Sequence, residues 1–363
     1  MKVQKFRSSD GRESWLVLDD NYLAVQPILS YLRYLDKIER SPNTIKSYAG
    51  HLKLFWEYLR DSKLDWKNIS SLETMADFIS WLRKPDPRVV SIQPQEAKRS
   101  ERTINVIVTA VCSFYDFQFR LGNIEELKVY SQHLRIGDKR FKPFLEHVMK
   151  GKPVQKNLLK LKEPKTFPGT LTHEQVQQLI TACTTQRSKL LIYLLYETGM
   201  RIGQAIGLRH SDVRSWDNEI SITPRNDNAN GARAKCKDPY IIHVSRDLIK
   251  VYSDYLLNEY PEDVDSDYVF INIWDGKVGK PITYSTVNEL FRQLHQKTGI
   301  KANPHLLRHT HATELILGGW DMAHVQKRLG HASIQTTMDT YIHLKDDDMK
   351  KEYKIFLDKR GKD

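Results

Sequence analysis

NPHLLRHTHATELILGG, residues 303–319, is the stretch on which the reading of the whole chain turns. Pro304 suits a first helical position, so His305 and Arg308 fall three apart on one face of the opening turns. A helix N-terminus offers unpaired N–H groups and the positive end of the backbone dipole, and both favour anions. A cation and a proton-transfer group placed there suit a phosphate. By itself HxxR fits a histidine-rich polar face at least as well. His305 and His309, four apart, also have the spacing of a metal pair, but no acidic or cysteine partner completes a metal pattern.

Three other stretches bear on that choice. In ETGMRIGQAIGL (197–208) Gly199 can end one helix and Arg201 open the next. An arginine at such a junction can offer a planar fork to phosphate oxygens, or simply pair with an acid such as Glu197. GARAKCKDPYIIHV (231–244) carries Lys235 and Lys237 at the mouth of a hairpin, where a lysine can reach a leaving oxygen or merely keep a loop solvated. LGHASIQTTMDTYIH (329–343) sets Tyr341 among Gln335, Thr336, Thr337, Asp339 and Thr340, ten positions after His331. It is a half-exposed surface tyrosine or a phenol held out for chemistry. With a pKa of about 10, a phenol is a poor nucleophile unless cations stand beside it.

A length of 363 residues suggests two domains, and 40% hydrophobic residues suffice for a core in each. The net charge of +11, with a pI near 9.3, favours a polyanionic partner. Cys112, Cys183 and Cys236 lie far apart, which supports neither a disulfide framework nor a thiolate zinc site and suits a reducing interior. The polar start MKVQKFRSSDGRES has no apolar signal segment, and LLIYLLY (190–196) is too short to span a bilayer. The expectation is a cytoplasmic protein with no membrane association.

Residues 3–19 read as two short strands around SSDGRE, and 1–20 as a small N-terminal β segment. From 21 to 125 the pattern is helical. Ser41 and Pro42 open a helix with Ile45, Tyr48, Leu52, Phe55, Trp56 and Leu59 on one face. Further helices fit 72–83 and 100–120. The latter has Ile104, Ile107, Val108, Val111, Tyr115 and Phe119 inward, and Lys98, Arg99 and Arg102 cluster at its start. Residues 126–168, basic and punctuated by prolines, read as a linker with some helix. A second, mainly α domain follows at 169–345. Its helices fit 172–184, 187–198, 201–208, 246–259, 284–298, 304–317, 321–329 and 333–343, and a hairpin joins EISITP to YIIHV through NDNANG. Residues 346–363 form a tail with a short apolar stripe.

Arg201, a hairpin lysine, His305 with Arg308, His331 and Tyr341 form an ordered series. That series, with ETGMRIGQAIGLRHSDV, HLLRHTHATELILGG and VQKRLGHASIQTTMDTYIHL, resembles the tyrosine recombinase (phage integrase) family. Within the family it is most like the transposase A-type integrases of mobile elements. The resemblance implies a mainly α fold with a small antiparallel sheet, arranged as a two-domain C-shaped clamp on duplex DNA. Residues 21–125 would be the helical, SAM-like core-binding half and 169–345 the catalytic half. Arg201 and Arg308 would hold the scissile phosphate, and Tyr341 would attack it to leave a 3′-phosphotyrosyl link and a free 5′-hydroxyl. His305 would assist proton transfer, and His331 would bond a phosphate oxygen or place the nucleophile. Lys235 would protonate the departing oxygen, with Lys237 the second choice. Lys46, Arg99, Arg102 and Lys237 are DNA-binding candidates.

No metal or nucleotide cofactor is implied, because the covalent link keeps the energy of the broken phosphodiester. The expected partners are specific duplex sites, three further protomers on paired sites, and accessory transposition proteins; the tail either folds back on its own domain or, as the resemblance implies, docks on a neighbouring protomer. One departure stands out: three residues after the first arginine the family usually has an acid, and here stands Gln204. Rival readings are a type IB topoisomerase-like relaxing enzyme and a catalytically silent DNA-binding protein. A two-metal nuclease lacks the necessary acidic cluster.

Overall fold

The computed structural model describes residues 1–7, 13–84, 97–133, 154–164, 169–225, 227–234, 236, 238–274 and 277–330, with 131–133 and 154–156 as backbone alone. Lys235, Lys237, His331, Tyr341, the helix expected at 333–343 and the tail lie outside the described residues. The chain divides into two compact units, Met1–Lys165 and Thr166–Asp363. Among the described residues, no helix is long and apolar enough to cross a membrane.

In the first unit β1 (Lys2–Arg7) pairs antiparallel with β2 (Glu13–Leu18), Lys5 opposite Trp15 and Val3 opposite Val17. Trp15 and Val17 enter the core of four helices, α1 (Gln26–Lys37), α2 (Pro42–Asp61), α3 (Leu72–Arg83) and α4 (Glu101–Arg120). Serine caps set three of the starts: Ser41, Ser71 and Ser100 accept the N–H of Thr44, Thr74 and Thr103. The expected stripes close on one another, with Ile45, Leu52 and Phe55 of α2 meeting Ile104, Val108, Val111 and Tyr115 of α4. The last turn of α4 differs from the expectation. Phe119 stays 42% exposed, because α1 packs on the side of Phe114 and Gln118, whose amide donates to Pro27 O at 3.2 Å.

The supposed linker is largely part of this unit where it is described. β3 (Tyr130–His133) pairs antiparallel with β4 (Val154–Asn157), and Leu127, Val129 and Leu159 are buried in the helical core. Asn105 on α4 clamps the outgoing chain, donating to Leu161 O at 3.0 Å and accepting its N–H at 2.8 Å. Of the basic candidates, Lys46 and Arg102 are exposed. Arg99 is half-buried and donates to Leu82 O at 3.1 Å, closing the end of α3.

The second unit opens with α5 (His173–Ala182), where Thr172 and Gln175 make a capping box, and α6 (Gln186–Thr198). A short α7 (Ile202–Ala205) leads to a three-stranded antiparallel sheet, order β5 (Val213–Arg214), β6 (Glu219–Ile222), β7 (Tyr240–His243). The helices α8 (Arg246–Asn258), α9 (Tyr284–Thr298), α10 (Pro304–Leu317) and α11 (Met322–Leu329) follow. Apolar α6 runs through the middle, packing on α5, α8 and α10. Ile220 and Ile242, paired across the sheet, cover the same core.

The β6–β7 connection is not the open hairpin that the sequence suggests. Asn230 Nδ2 bonds Ile206 O at 2.8 Å and Ile282 O at 2.7 Å, and buried Asn228 bonds Ala232 O at 2.9 Å. Short amides here satisfy backbone carbonyls and so hold an irregular segment down on the core.

Candidate active site

α10 carries the first two site residues. Asn303 caps it by accepting the N–H of Leu306 at 2.9 Å, and Pro304 follows at the first position. His305 on the opening turn is exposed. Arg308, one turn on, is only 6% exposed, and a buried guanidinium needs fixed acceptors. It finds carbonyls: one terminal nitrogen donates to Gly199 O at 2.7 Å, the other to Leu329 O at 2.9 Å. His309 is half-buried, and burial, then the charges of His305 and Arg308, lower its pKa. Among the described residues, no three His, Cys, Asp or Glu group as a metal site.

Arg201 reaches the same place from the α6–α7 junction. Gly199 ends α6 with φ +61, the left-handed region open to glycine. A side chain there would also meet the His311 ring at 2.6 Å and Leu329 at 2.8 Å. Two residues later the Arg201 guanidinium donates to Gly330 O at 3.1 Å. The alternative pairing with Glu197 does not occur, since that carboxylate instead bonds the backbone N–H and hydroxyl of Ser245, which caps α8. Arg201 and Arg308 thus hang on the carbonyls of adjacent residues, Gly330 and Leu329, where α11 ends. Two cations from stretches about a hundred residues apart meet at one point immediately before His331.

Gln204, the departure from the expected acid, is 4% exposed and fully used. Its carbonyl oxygen accepts the Arg201 N–H at 2.7 Å, and its amide donates to Tyr240 Oη at 3.0 Å. Burial raises the Tyr240 pKa, against the lowering effects of Gln204, Arg308 and Arg201. The phenol therefore stays neutral below the two guanidinium groups.

Sequence reasoning missed a brace formed by Arg328 and His311. Arg328 donates to His311 Nε2, His243 O and Glu197 O, each at 3.1 Å, tying α11 to α10, β7 and α6. His311 is 7% exposed and its pKa falls to about 3, through burial first and then the charges of Arg328 and Arg308. It is a neutral acceptor at ordinary pH. Its only signal was the second histidine of RHTHAT, with nothing in the local pattern to name the partner.

Two arginines pre-placed at one helix end are suited to gripping an anion. Residues 169–348 match the model of the Phage integrase family, and residues 28–122 that of the phage integrase N-terminal SAM-like domain. The chain is 44% identical over 362 residues to transposase A from transposon Tn554 of Staphylococcus aureus, spanning 99% of each. It is 26% identical over 312 residues to tyrosine recombinase XerA of Thermococcus onnurineus, covering 85% of this chain and 88% of that one. Among solved structures, the Tn1549 transposon integrase in complex with a circular intermediate DNA shares the fold, with a TM-score of 0.60 at 16% identity. That match covers 87% of this chain and 94% of the other. The chain belongs to the phage integrase family, as a site-specific tyrosine recombinase of the transposon-integrase type.

Proposed function

We propose that this recombinase cuts and rejoins duplex DNA through a covalent bond between Tyr341 and a 3′-phosphate, moving a mobile element into or out of its host. The observation that carries this reading is the convergence of Arg201 and Arg308 on the end of α11, from which the chain runs on to His331 and Tyr341. The two guanidinium groups take the non-bridging oxygens and stabilise the charge of the five-coordinate transition state. The Tyr341 oxygen attacks phosphorus and loses its proton with help from His305. The bond to the 5′-oxygen breaks, and Lys235 gives that oxygen its proton. His331 bonds a phosphate oxygen. Rejoining reverses these steps with another strand's 5′-hydroxyl.

A substrate with sulfur in place of the 5′-oxygen tests the lysine. A thiolate leaves with little protonation, so a Lys235→Ala defect is expected to be largely rescued, while an Arg201→Ala defect persists. Rescue of Lys237→Ala instead would move the role two residues along.

In this reading 21–125 and 169–345 clamp the duplex, with exposed Lys46 and Arg102 against phosphates and Lys237 beside the cut. Arg99 contributes there mainly by shaping the end of α3. The chain works in the cytoplasm, on the nucleoid when bound, with accessory transposition proteins. Four protomers act on paired sites, coupled by residues 346–363. A chain ending at Leu344 is expected to bind single sites in a gel shift yet fail to form four-subunit complexes by light scattering. Normal assembly by that chain would remove the tail from the coupling role.

A further inference from the structure

Both attachments of Arg201 lead to one ring. Its backbone N–H is held by Gln204, whose amide in turn rests on Tyr240 Oη at 3.0 Å. Its guanidinium is held by the carbonyl of Gly330, and Gly330 lies flat against the same phenol. A Cβ at Gly330 would sit 2.6 Å from Tyr240 Oη and 2.8 Å from Cζ, and its φ of +63 also favours glycine. Tyr240 itself is fixed at the start of β7, opposite Ile222 in the sheet. The tyrosine therefore sets the distance between the α6–α7 junction and the end of α11, the two backbone segments that aim the arginine.

We propose that Tyr240 is a positioning residue for strand cleavage, its hydroxyl and ring holding Arg201 at the scissile phosphate through Gln204 and Gly330. The proposal rests on the reading of Arg201 as a phosphate ligand. The pin is neutral at both members, a phenol and a carboxamide. It holds the arginine without a carboxylate competing for its charge, which suits a site where Gln204 replaces an acid. Without the hydroxyl, the buried Gln204 amide loses its acceptor, and the turn that carries Arg201 can relax.

The test compares single-turnover cleavage of a normal nicked duplex with one stereoisomer of a methylphosphonate at the scissile position. The methylphosphonate carries no negative charge there, so a displaced arginine matters less. Tyr240→Phe is expected to slow cleavage of the phosphate on the order of ten- to hundredfold at unchanged duplex affinity, as small misplacements of catalytic groups do. The gap to wild type should narrow on the methylphosphonate, in parallel with Arg201→Ala. Tyr252→Phe is the structural control. It removes a phenol bonded to His210 at 2.7 Å in the same unit and should leave the ratio between the two substrates at its wild-type value. Wild-type cleavage of the phosphate by Tyr240→Phe would overturn the proposal. So would a deficit that persists on the methylphosphonate while that of Arg201→Ala narrows. If Arg201→Ala itself cleaves the phosphate normally, the reading of Arg201 falls and the proposal with it.

Discussion

A Tyr341→Phe chain is expected to bind a nicked suicide duplex as wild type does and to form no covalent complex with it. The change removes one oxygen and leaves the ring. In the proposed reaction that oxygen is the one protein atom bonded to phosphorus in the intermediate, so no neighbouring group replaces it. Trapping on a denaturing gel reads the result directly, because the suicide substrate loses its short 5′ fragment and cannot be rejoined. A covalent band in the phenylalanine chain would remove Tyr341 from the role of nucleophile. Loss of binding along with cleavage would point instead to a fault in folding.

The second large effect concerns the arginines, and here the two should differ. Arg201→Ala and Arg308→Ala should each lose about 3–4 kcal/mol of transition-state stabilisation, the scale of a preorganised oxyanion donor. Arg308 is also structural. Its removal strips the carbonyls of Gly199 and Leu329 of a buried donor, and each orphaned polar group costs roughly 1–3 kcal/mol. Arg308→Ala should therefore melt lower than Arg201→Ala, by several degrees for a unit of this size. Arg308→Lys should remain impaired in cleavage, since a single ammonium cannot reproduce the planar fork. Chelator should leave the wild-type rate unchanged. Near wild-type cleavage by either alanine chain would take that arginine away from the phosphate.

What could be read in the sequence was what is decided locally. The helices at 72–83, 284–298 and 304–317 are bounded by caps and glycines that act within a turn or two, and they lie where the residues indicated. Arg201 and Arg308 stood out because each sits at a helix junction whose chemistry is evident from its immediate neighbours. Contacts across long separations were hidden. β3 and β4 are short and polar, and their pairing spans an interval with no apolar alternation to announce it. The expected helix at 201–208 shrinks to four residues: the Arg201–Gln204 bond caps its start, and it ends at Ile206, whose carbonyl is taken by Asn230 of the β6–β7 connection. The acceptors that hold the arginines are carbonyls of residues 109, 21 and 129 positions away, and no residue type signals a carbonyl.

That last fact has a consequence for how the site withstands mutation. Every residue carries a carbonyl, so no substitution at 199, 329 or 330 can delete an acceptor. A substitution acts only by shifting the backbone path. Selection at these three positions therefore bears on torsion angle and side-chain room, as the two left-handed glycines and the fully buried Leu329 indicate. The placement of the two arginines can persist through wide drift in the surrounding sequence, provided that α6 and α11 keep ending where they do.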